Sequence, residues 1–463
     1  MDALDLARLQ FASTSIYHFL FVPVTIGLAF LVALLHTSWF RSGEDRHRRL
    51  TRFFGTLLLI NIAVGVVTGL VQEFQFGMNW SAYSRFVGDV FGAPLAMAGL
   101  AAFFLESTFL GLWVFGWNVL SARLHLVTIW LVFFGATLSG AFIMAANSWM
   151  QHPVGYATNS KTGRPQLDSI GELFTNPVFV WGYVHVVLAA LVTGAMVMLS
   201  VSAWHLRRGN VVFKGSAVLS IAVLVPTAAL ALMVGSHLGV VEAKYQPMKI
   251  AAAEAEWKTC QPCSFSIFQV GGGKDDHTPK RIIQVPHLLS LLGTGTWDGK
   301  VLGLDQLQSQ DVSKYGPGNY VPNVFIQYWS MRVMAYLGSL VSLFSLWGAW
   351  LAYRRKLETS RVFLAVATWA VITPFVMNTA GWMLTENGRQ PWLVQGLMTT
   401  ADGISASVST TEVVISLIVF LLLYLLLAVV DVFLMLRYGR RSLELEESDE
   451  PSDVAPRTPA LTY

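Results

Sequence analysis

RVFLAVATWAVITPFVMNTAGWMLTENGRQPW, residues 361–392, runs apolar for a membrane's thickness and then ends on a carboxylate, Glu386, and a guanidinium, Arg389. About 20 apolar residues let a helix cross roughly 30 Å of hydrocarbon. The first part of the stretch therefore reads as a membrane span and the second as its polar close. Composition agrees. The chain of 463 residues is 54% hydrophobic and only 13% charged, with mean hydropathy +0.54. Soluble chains carry about 25% charged residues, so this is an integral membrane protein. A net charge of +3, with basic residues spread among the connections, argues against a nucleic-acid partner. The first apolar run continues to about Phe40 without a small-residue cleavage site. It predicts an anchor, not a removable signal peptide.

Working outward, nine apolar runs follow one another: 15–40, 53–75, 94–118, 125–148, 178–206, 214–238, 324–353, 361–384 and 408–436. They predict an all-α bundle of about nine transmembrane helices. The third and fourth are split only by a short turn at Ser121–Leu124, which predicts a hairpin. With the N-terminus outside, the inner connections hold Arg41, Arg46, Arg48, Arg49 and Arg52; Arg123; Arg207, Arg208 and Lys214; Arg354, Arg355, Lys356 and Arg361; and Arg437, Arg440 and Arg441. The short outer segments, the long 240–323 loop aside, hold only Arg8, Arg85, Lys161, Arg164 and Arg389. That asymmetry sets the orientation and places the C-terminus in the cytoplasm. The chain then divides into helices one to six (1–239), an outer loop (240–323), helices seven to nine (324–436) and an acidic tail (437–463). Its end, ELEESDEPSDVAPRTPALTY, predicts disorder. No internal repeat is visible.

Ionisable groups inside spans are costly, and their default reading is functional. His18 lies in IYHFLFVP of the first span, and His185 in WGYVHVVL of the fifth. Met334, with Arg332 beside it, lies in QYWSMRVMAYLG of the seventh. Glu106 is mid-span in the third, and Glu386 ends the eighth. Each has a plain alternative: a hydrogen-bonded packing histidine, a methionine filling the core, a structural Glu386–Arg389 pair. His36, His125, His205 and His237 lie near span ends and read as interfacial. The joint pattern is more specific. An imidazole and a thioether at matching depth, on spans packed antiparallel, can bind the two faces of one haem iron. A neighbouring arginine can neutralise a propionate. HPVGY at 152–156 echoes a His/Tyr spacing of haem-copper oxidases, but no paired histidines exist for copper. A secondary transporter, or another membrane haem protein, is the alternative; the lack of repeats disfavours the transporter.

At these residues the chain closely resembles the large haem-bearing subunit, subunit I, of cytochrome bd-type quinol oxidases, in its short quinol-loop form. The shared motifs run nearly end to end: RLQFA (8–12), YHFLFVP (17–23), EFQFGMNW (73–80), GDVFGAPLA (88–96), FFLEST (103–108), WMQ (149–151), AAEAEW (252–257) and GRQPW (388–392). The resemblance implies a multi-pass protein of the bacterial inner membrane. It implies a low-spin haem b (b558 type), a high-spin haem b (b595 type) and a haem d. Its reaction would oxidise ubiquinol or menaquinol outside and reduce dioxygen to water with cytoplasmic protons, making a proton motive force without pumping. A second large membrane subunit is implied, and a small single-helix one is admitted. By resemblance, His185 and Met334 are axial ligands of the low-spin haem, and Arg332 its supporting cation. His18 and Glu386 are ligands within the high-spin pair, which of them takes which haem being open. Arg389 balances Glu386 or a propionate, and Trp382 is an aromatic between haems. Lys249 and Glu254 are quinol residues, and Glu106, Ser139 and Asn147 belong to a proton path. One departure stands out: Ala98 occupies a place where the family commonly has a glutamate.

CQPC, 260–263, lies six residues beyond Glu254. A c-type haem is excluded because Ser264 follows the second cysteine. Zinc would need His277 and His287. The outside placement of the loop predicts a Cys260–Cys263 disulfide that stiffens the turn at Pro262. So small a ring adds little global stability.

Overall fold

The computed structural model describes residues 2–273 and 276–443, apart from the Ala101 side chain. Helices α1 (Ala3–Ser42) and α2 (Asp45–Met78) form the first hairpin. The third span is composite: α3 (Ser81–Met97), a π-helical segment at Ala98–Phe103, and α4 (Phe104–Phe115). Helix α5 (Ala122–Gln151) returns beside it, giving the hairpin that the Ser121–Leu124 turn predicts. A small hairpin, β1 (Tyr156–Thr158) and β2 (Pro165–Leu167), and α6 (Ile170–Thr175) lead into α7 (Pro177–Leu206) and α8 (Lys214–Tyr245).

The long loop holds α9 (Pro247–Ala253), an antiparallel hairpin of β3 (Phe265–Val270) and β4 (Lys280–Val285), α10 (Leu288–Thr294) and α11 (Leu304–Tyr315). Helix α12 (Val324–Tyr353) follows. The opening stretch folds as α13 (Arg361–Trp369) and α14 (Ile372–Arg389), bent by 40° between them. A last hairpin, β5 (Trp392–Val394) and β6 (Met398–Thr399), and α15 (Thr400–Gly403) precede α16 (Thr410–Gly439). Among the described residues, eight helices are long and apolar enough to span a membrane, and the bent pair makes a ninth.

The sequence sets these boundaries locally. Asn176 caps α7 by accepting from the Val178 amide, and Pro177 occupies the first turn, where its missing N–H costs nothing. Ser409 and Glu412 close a reciprocal capping box on α16. Gly43 ends α1 at φ 68°, a left-handed conformation that suits glycine. Two boundaries differ from the sequence reading. The loop begins later than residue 240, because α8 runs to Tyr245. The final helix runs to Gly439, so the first residues assigned to the tail are helical. The rest of the acidic tail, from Glu444, lies outside the described residues.

Helix α1 packs against α2, α5, α7, α14 and α16 and so sits at the centre. It approaches α7 closely. A Cβ on Gly27 would lie 2.2 Å from the Ala190 carbonyl oxygen, and one on Gly194 would lie 2.3 Å from the Gly27 carbonyl carbon. Two glycines thus let the backbones touch, which is how membrane helices gain packing without a hydrophobic drive. The largest apolar core, including Leu28, Leu31, Phe54 and Leu199, fills the bundle on the side away from the long loop. Leu421, Leu422, Leu425 and Leu426 on α16 face outward, as a surface in contact with lipid or another apolar partner requires.

Candidate functional site

Apart from Glu106 and Ser139, which lie mid-span, the polar groups singled out in the sequence gather toward the end of the bundle that carries the long loop. His18 on α1 is held from α2. Its Nδ1 lies 2.9 Å from Thr68 Oγ1, whose own proton goes to the Gly65 carbonyl at 2.8 Å. Thr68 therefore accepts from His18 Nδ1–H, and that tautomer leaves the Nε2 lone pair free for a metal. The ring lies against a glycine: a Cβ on Gly69 would be 3.2 Å from His18 Cε1. His185 on α7 has the same setting, since a Cβ on Gly235 of α8 would lie 2.9 Å from its Cε1. Met334 on α12 repeats it, its sulfur 3.2 Å from where a Cβ of Gly381 on α14 would stand. Three candidate iron ligands thus each lie against a glycine of a neighbouring helix, which keeps them between helices.

The expected antiparallel packing of the His185 and Met334 helices is corrected. Helices α7 and α12 run in the same direction, because α8 returns to the loop end between them and packs against both. Depth along each helix, not opposite direction, is what matches the two residues.

Glu386, at the end of α14, has both oxygens engaged. Oε1 accepts from Asn147 Nδ2 of α5 at 2.7 Å, and Oε2 pairs with the Arg389 guanidinium. Arg389 is buried and also donates to the Leu393 carbonyl at 2.6 Å. Asn147 Oδ1 in turn accepts from Gln151 Nε2 at 2.8 Å, and Gln151 Oε1 accepts from Lys249 Nζ. Lys249 also pairs with Glu242 Oε2 of α8 at 2.8 Å. Its stem crosses α14 at Gly388, where a Cβ would be 2.4 Å from Lys249 Cγ and 2.3 Å from Gln327 Nε2. The glycine of GRQPW is thus the space through which the loop lysine reaches the bundle.

Glu254, in the loop just past α9, and Arg332, on α12, form a buried pair. Their side chains are 3% and 1% exposed, with Oε2 and NH2 2.6 Å apart. The guanidinium also donates to the Ala253 and Ser266 carbonyls and lies 3.8 Å from the centre of the Tyr328 ring. Burial pushes the Glu254 carboxyl above its ordinary value, and the Arg332 charge opposes that rise. Burial also raises Glu256, which pairs with Arg281. The reading of Arg332 as a cation waiting for a propionate meets a different geometry: its donors are all turned to Glu254 and the loop backbone.

The remaining candidates are placed as follows. Trp382, one turn before Glu386, meets Phe19 edge-on with centroids 4.8 Å apart, next to His18. Glu106 is half-buried on α4, its backbone against Gly135 of α5, where a Cβ would be 2.9 Å from the Glu106 nitrogen. Ser139 is half-buried on α5, one turn beyond Gly135. Ala98 opens the π-helical segment, four residues after Pro94; such segments are frequent at functional sites. Cys260 and Cys263 are joined in a disulfide. Among the described residues no three His, Cys, Asp or Glu side chains gather as a metal site, and His287 instead stacks on Trp297 and bonds Asp298.

Three histidines expected at the interface are buried. His36 stacks beside Trp39 and Trp117 and accepts from Trp113 Nε1 at 3.1 Å. His125 bonds the Trp113 carbonyl at 2.7 Å. His205 stacks on Phe213 and bonds the Gly439 carbonyl at 2.9 Å. Stacking and one hydrogen bond each are enough to keep a neutral imidazole away from water. His237 stays exposed, against Trp181.

Comparison with known proteins bears on this arrangement as a whole. The profile of the family described as cytochrome bd terminal oxidase subunit I matches residues 6–443. The chain belongs to that family. It is 44% identical to the cytochrome bd ubiquinol oxidase subunit 1 of Bacillus subtilis over 96% of this chain and 95% of the relative. It is 38% identical to the cytochrome bd-II ubiquinol oxidase subunit 1 of Escherichia coli, over 97% and 99%. The solved bd oxidase structure from Geobacillus thermodenitrificans matches with TM-score 0.86 at 27% identity, covering 96% of this chain and 99% of that one. The chain is thus a multi-pass bacterial membrane protein and a haem-bearing subunit of a terminal oxidase. Being subunit I, it implies a second subunit.

Within this cytochrome bd subunit, sequence reading missed Gln151, Glu242, Gly69, Gly235, Gly381 and Gly388. Gln151 was in view as the last residue of WMQ, and Gly388 as the first of GRQPW, but neither spacing nor polarity marked them. The glycines become visible only once neighbouring helices are placed.

Proposed function

We propose that this subunit oxidises membrane quinol at its loop end and reduces dioxygen to water within the bundle, with His185 and Met334 holding a low-spin haem b, and His18 and Glu386 serving a high-spin haem b and a haem d. The observation that carries the reading is the glycine opposite each of His18, His185 and Met334. The haems, when bound, pass electrons from quinol to dioxygen. Everything else falls to the chain. Thr68 fixes the His18 tautomer. Arg389 and Asn147 orient Glu386, and Arg389 balances its charge. Trp382 sets an aromatic face against Phe19, the residue after His18 on α1. Lys249 offers its ammonium to a quinol oxygen, and Glu254, poised by burial, takes or shares a quinol proton.

The loop end faces outside, supported by the arginines and lysines clustered at the other end. Protons released from quinol leave there. Protons for water enter from the cytoplasm by way of Glu106 and Ser139, with Asn147 lining the end of the path and giving up no proton of its own. Two quinols become two quinones for each dioxygen made into two waters, and the charge separation needs no pump. Ubiquinol and menaquinol share the chemistry the site recognises. The second large subunit, and any small single-helix one, covers apolar faces such as that of α16.

A reduced-minus-oxidised spectrum of the purified oxidase, with pyridine extraction of its haems, tests the reading. Haem b and haem d bands are expected. His18→Ala should remove the high-spin bands and oxygen reduction while the low-spin band stays. A protein without haem bands, or a His18→Ala variant with full oxidase activity, refutes it.

A further inference from the structure

Lys249 and Glu386 are joined through two amides. Lys249 Nζ donates to Gln151 Oε1, Gln151 Nε2 donates to Asn147 Oδ1 at 2.8 Å, and Asn147 Nδ2 donates to Glu386 Oε1 at 2.7 Å. The ends of this chain fix its direction. An ammonium can only donate and a carboxylate can only accept, so both amides must point the same way. Hydrogen bonds aligned head to tail polarise one another. An amide does not give up its N–H proton under these conditions, so the chain carries polarisation and not protons. Lys249 has three donors; Gln151 and Glu242 take two, and the third has no partner among the described residues. The lysine is 3% exposed, so little water dilutes its charge.

We propose that Gln151 is a positioning residue that couples Lys249 to Glu386: a quinol or quinone oxygen taking the third N–H of Lys249 alters the field at Glu386. The coupling rests on the reading above, in which Lys249 meets quinol and Glu386 serves an iron. Glu242 is the second positioning residue. It holds the ammonium between two acceptors, so that its remaining N–H has one direction. Substrate occupancy at the loop thereby tunes the oxygen-reducing end before any electron moves.

The test is a double-variant cycle on the purified oxidase with its partner subunit, in nanodiscs. The readouts are the absorption bands and midpoint potential of the high-spin haems. Lys249→Met should shift them in the native background and leave them in place in the Q151L background. Gln151→Glu is the discriminating variant. It keeps an acceptor for Lys249, so KM for a short-chain quinol stays near native. It sets acceptor against acceptor at Asn147, so the shift is lost as in Q151L. In Q151L itself KM should rise about tenfold, the scale of a hydrogen bond to a charged group. Haem content and the low-spin band report folding, and Q151E carries the cycle if Q151L fails to load haem. Equal shifts in all backgrounds, or none in the native one, overturn the coupling. Glu386→Gln leaving every high-spin band in place refutes the ligand reading, and an unchanged quinol KM in Lys249→Met refutes the quinol reading; either takes the coupling with it. A null cycle with both readings intact overturns the coupling alone.

Discussion

Replacing Arg332 by Met isolates the buried pair that ties the loop to the bundle. The guanidinium is 1% exposed and meets Glu254 at 2.6 Å, so the substitution strands a carboxylate that is itself 3% exposed. Breaking such a pair from one side costs about 3–5 kcal/mol. At an effective dielectric of about 20, two charges roughly 4 Å apart attract by about 4 kcal/mol, which agrees. The carboxyl has an escape: it can bind a proton. From an ordinary glutamate value of about 4.3, staying protonated at about pH 7 costs about 3.7 kcal/mol, which caps the loss.

That cap makes the penalty depend on pH with a definite sign. In the native protein burial already raises Glu254, and Arg332 restrains the rise. A raised carboxyl contributes most below its ordinary value and loses that contribution as pH climbs through the raised one. Without Arg332 the upper edge moves higher. The folded variant then holds a proton the unfolded chain does not, and stability should rise by about 1.4 kcal/mol for each pH unit of acidification. The assay is the midpoint of thermal haem loss between about pH 5.5 and about pH 7.5, in native, Arg332→Met and Arg332→Met/Glu254→Gln proteins. The single variant should gain stability on acidification relative to native. The double variant should lose that extra slope and recover part of the stability at the upper pH. Parallel pH curves for all three, or a double variant weaker than the single one throughout, refute the argument.

Met334→Leu should convert the low-spin haem to high spin and cripple quinol oxidation, while Met331→Leu, at the other methionine of α12, three residues nearer the loop, stays mild; the opposite ranking in their spectra overturns the assignment. Glu106→Gln should lower turnover or haem content, and a variant with both at native levels rules out proton supply and haem support together. Gly388→Ala places a methyl 2.3–2.4 Å from Gln327 Nε2 and Lys249 Cγ; it should cost about 1–3 kcal/mol and raise quinol KM while the low-spin spectrum stays native, so an unchanged KM removes the claim that this glycine makes room for Lys249. Gly235→Ala should disturb the His185 ring 2.9 Å away and weaken the low-spin band in optical spectra, and a native band there would detach the glycine from ligand placement.

The sequence by itself determined the membrane setting, the spans and the family. Hydrocarbon thickness sets a length that any span must meet, and motifs such as GRQPW and AAEAEW survive as contiguous strings. It also put His18, His185, Met334 and Glu386 on view, because an ionisable or soft ligand inside an apolar run has few other reasons to be there. The bend between α13 and α14 did not show, since the apolar run passes through it unbroken. Nor did the burial of His36, His125 and His205, whose stacking partners Trp39, Trp117 and Phe213 become their neighbours only after packing. The pairing of Arg332 with Glu254 did not show either, because Arg332 and Met334 stand two residues apart, more than half a helical turn, and their side chains leave opposite faces. Which face met Glu254 was decided by the loop folding back over α12. The chain from Lys249 to Glu386 draws on α5, α9 and α14, and its members lie more than two hundred residues apart at the extremes. No period or motif records that meeting. It exists because Gly388 has no side chain where Lys249 must pass, a condition on space between helices that only the tertiary structure imposes.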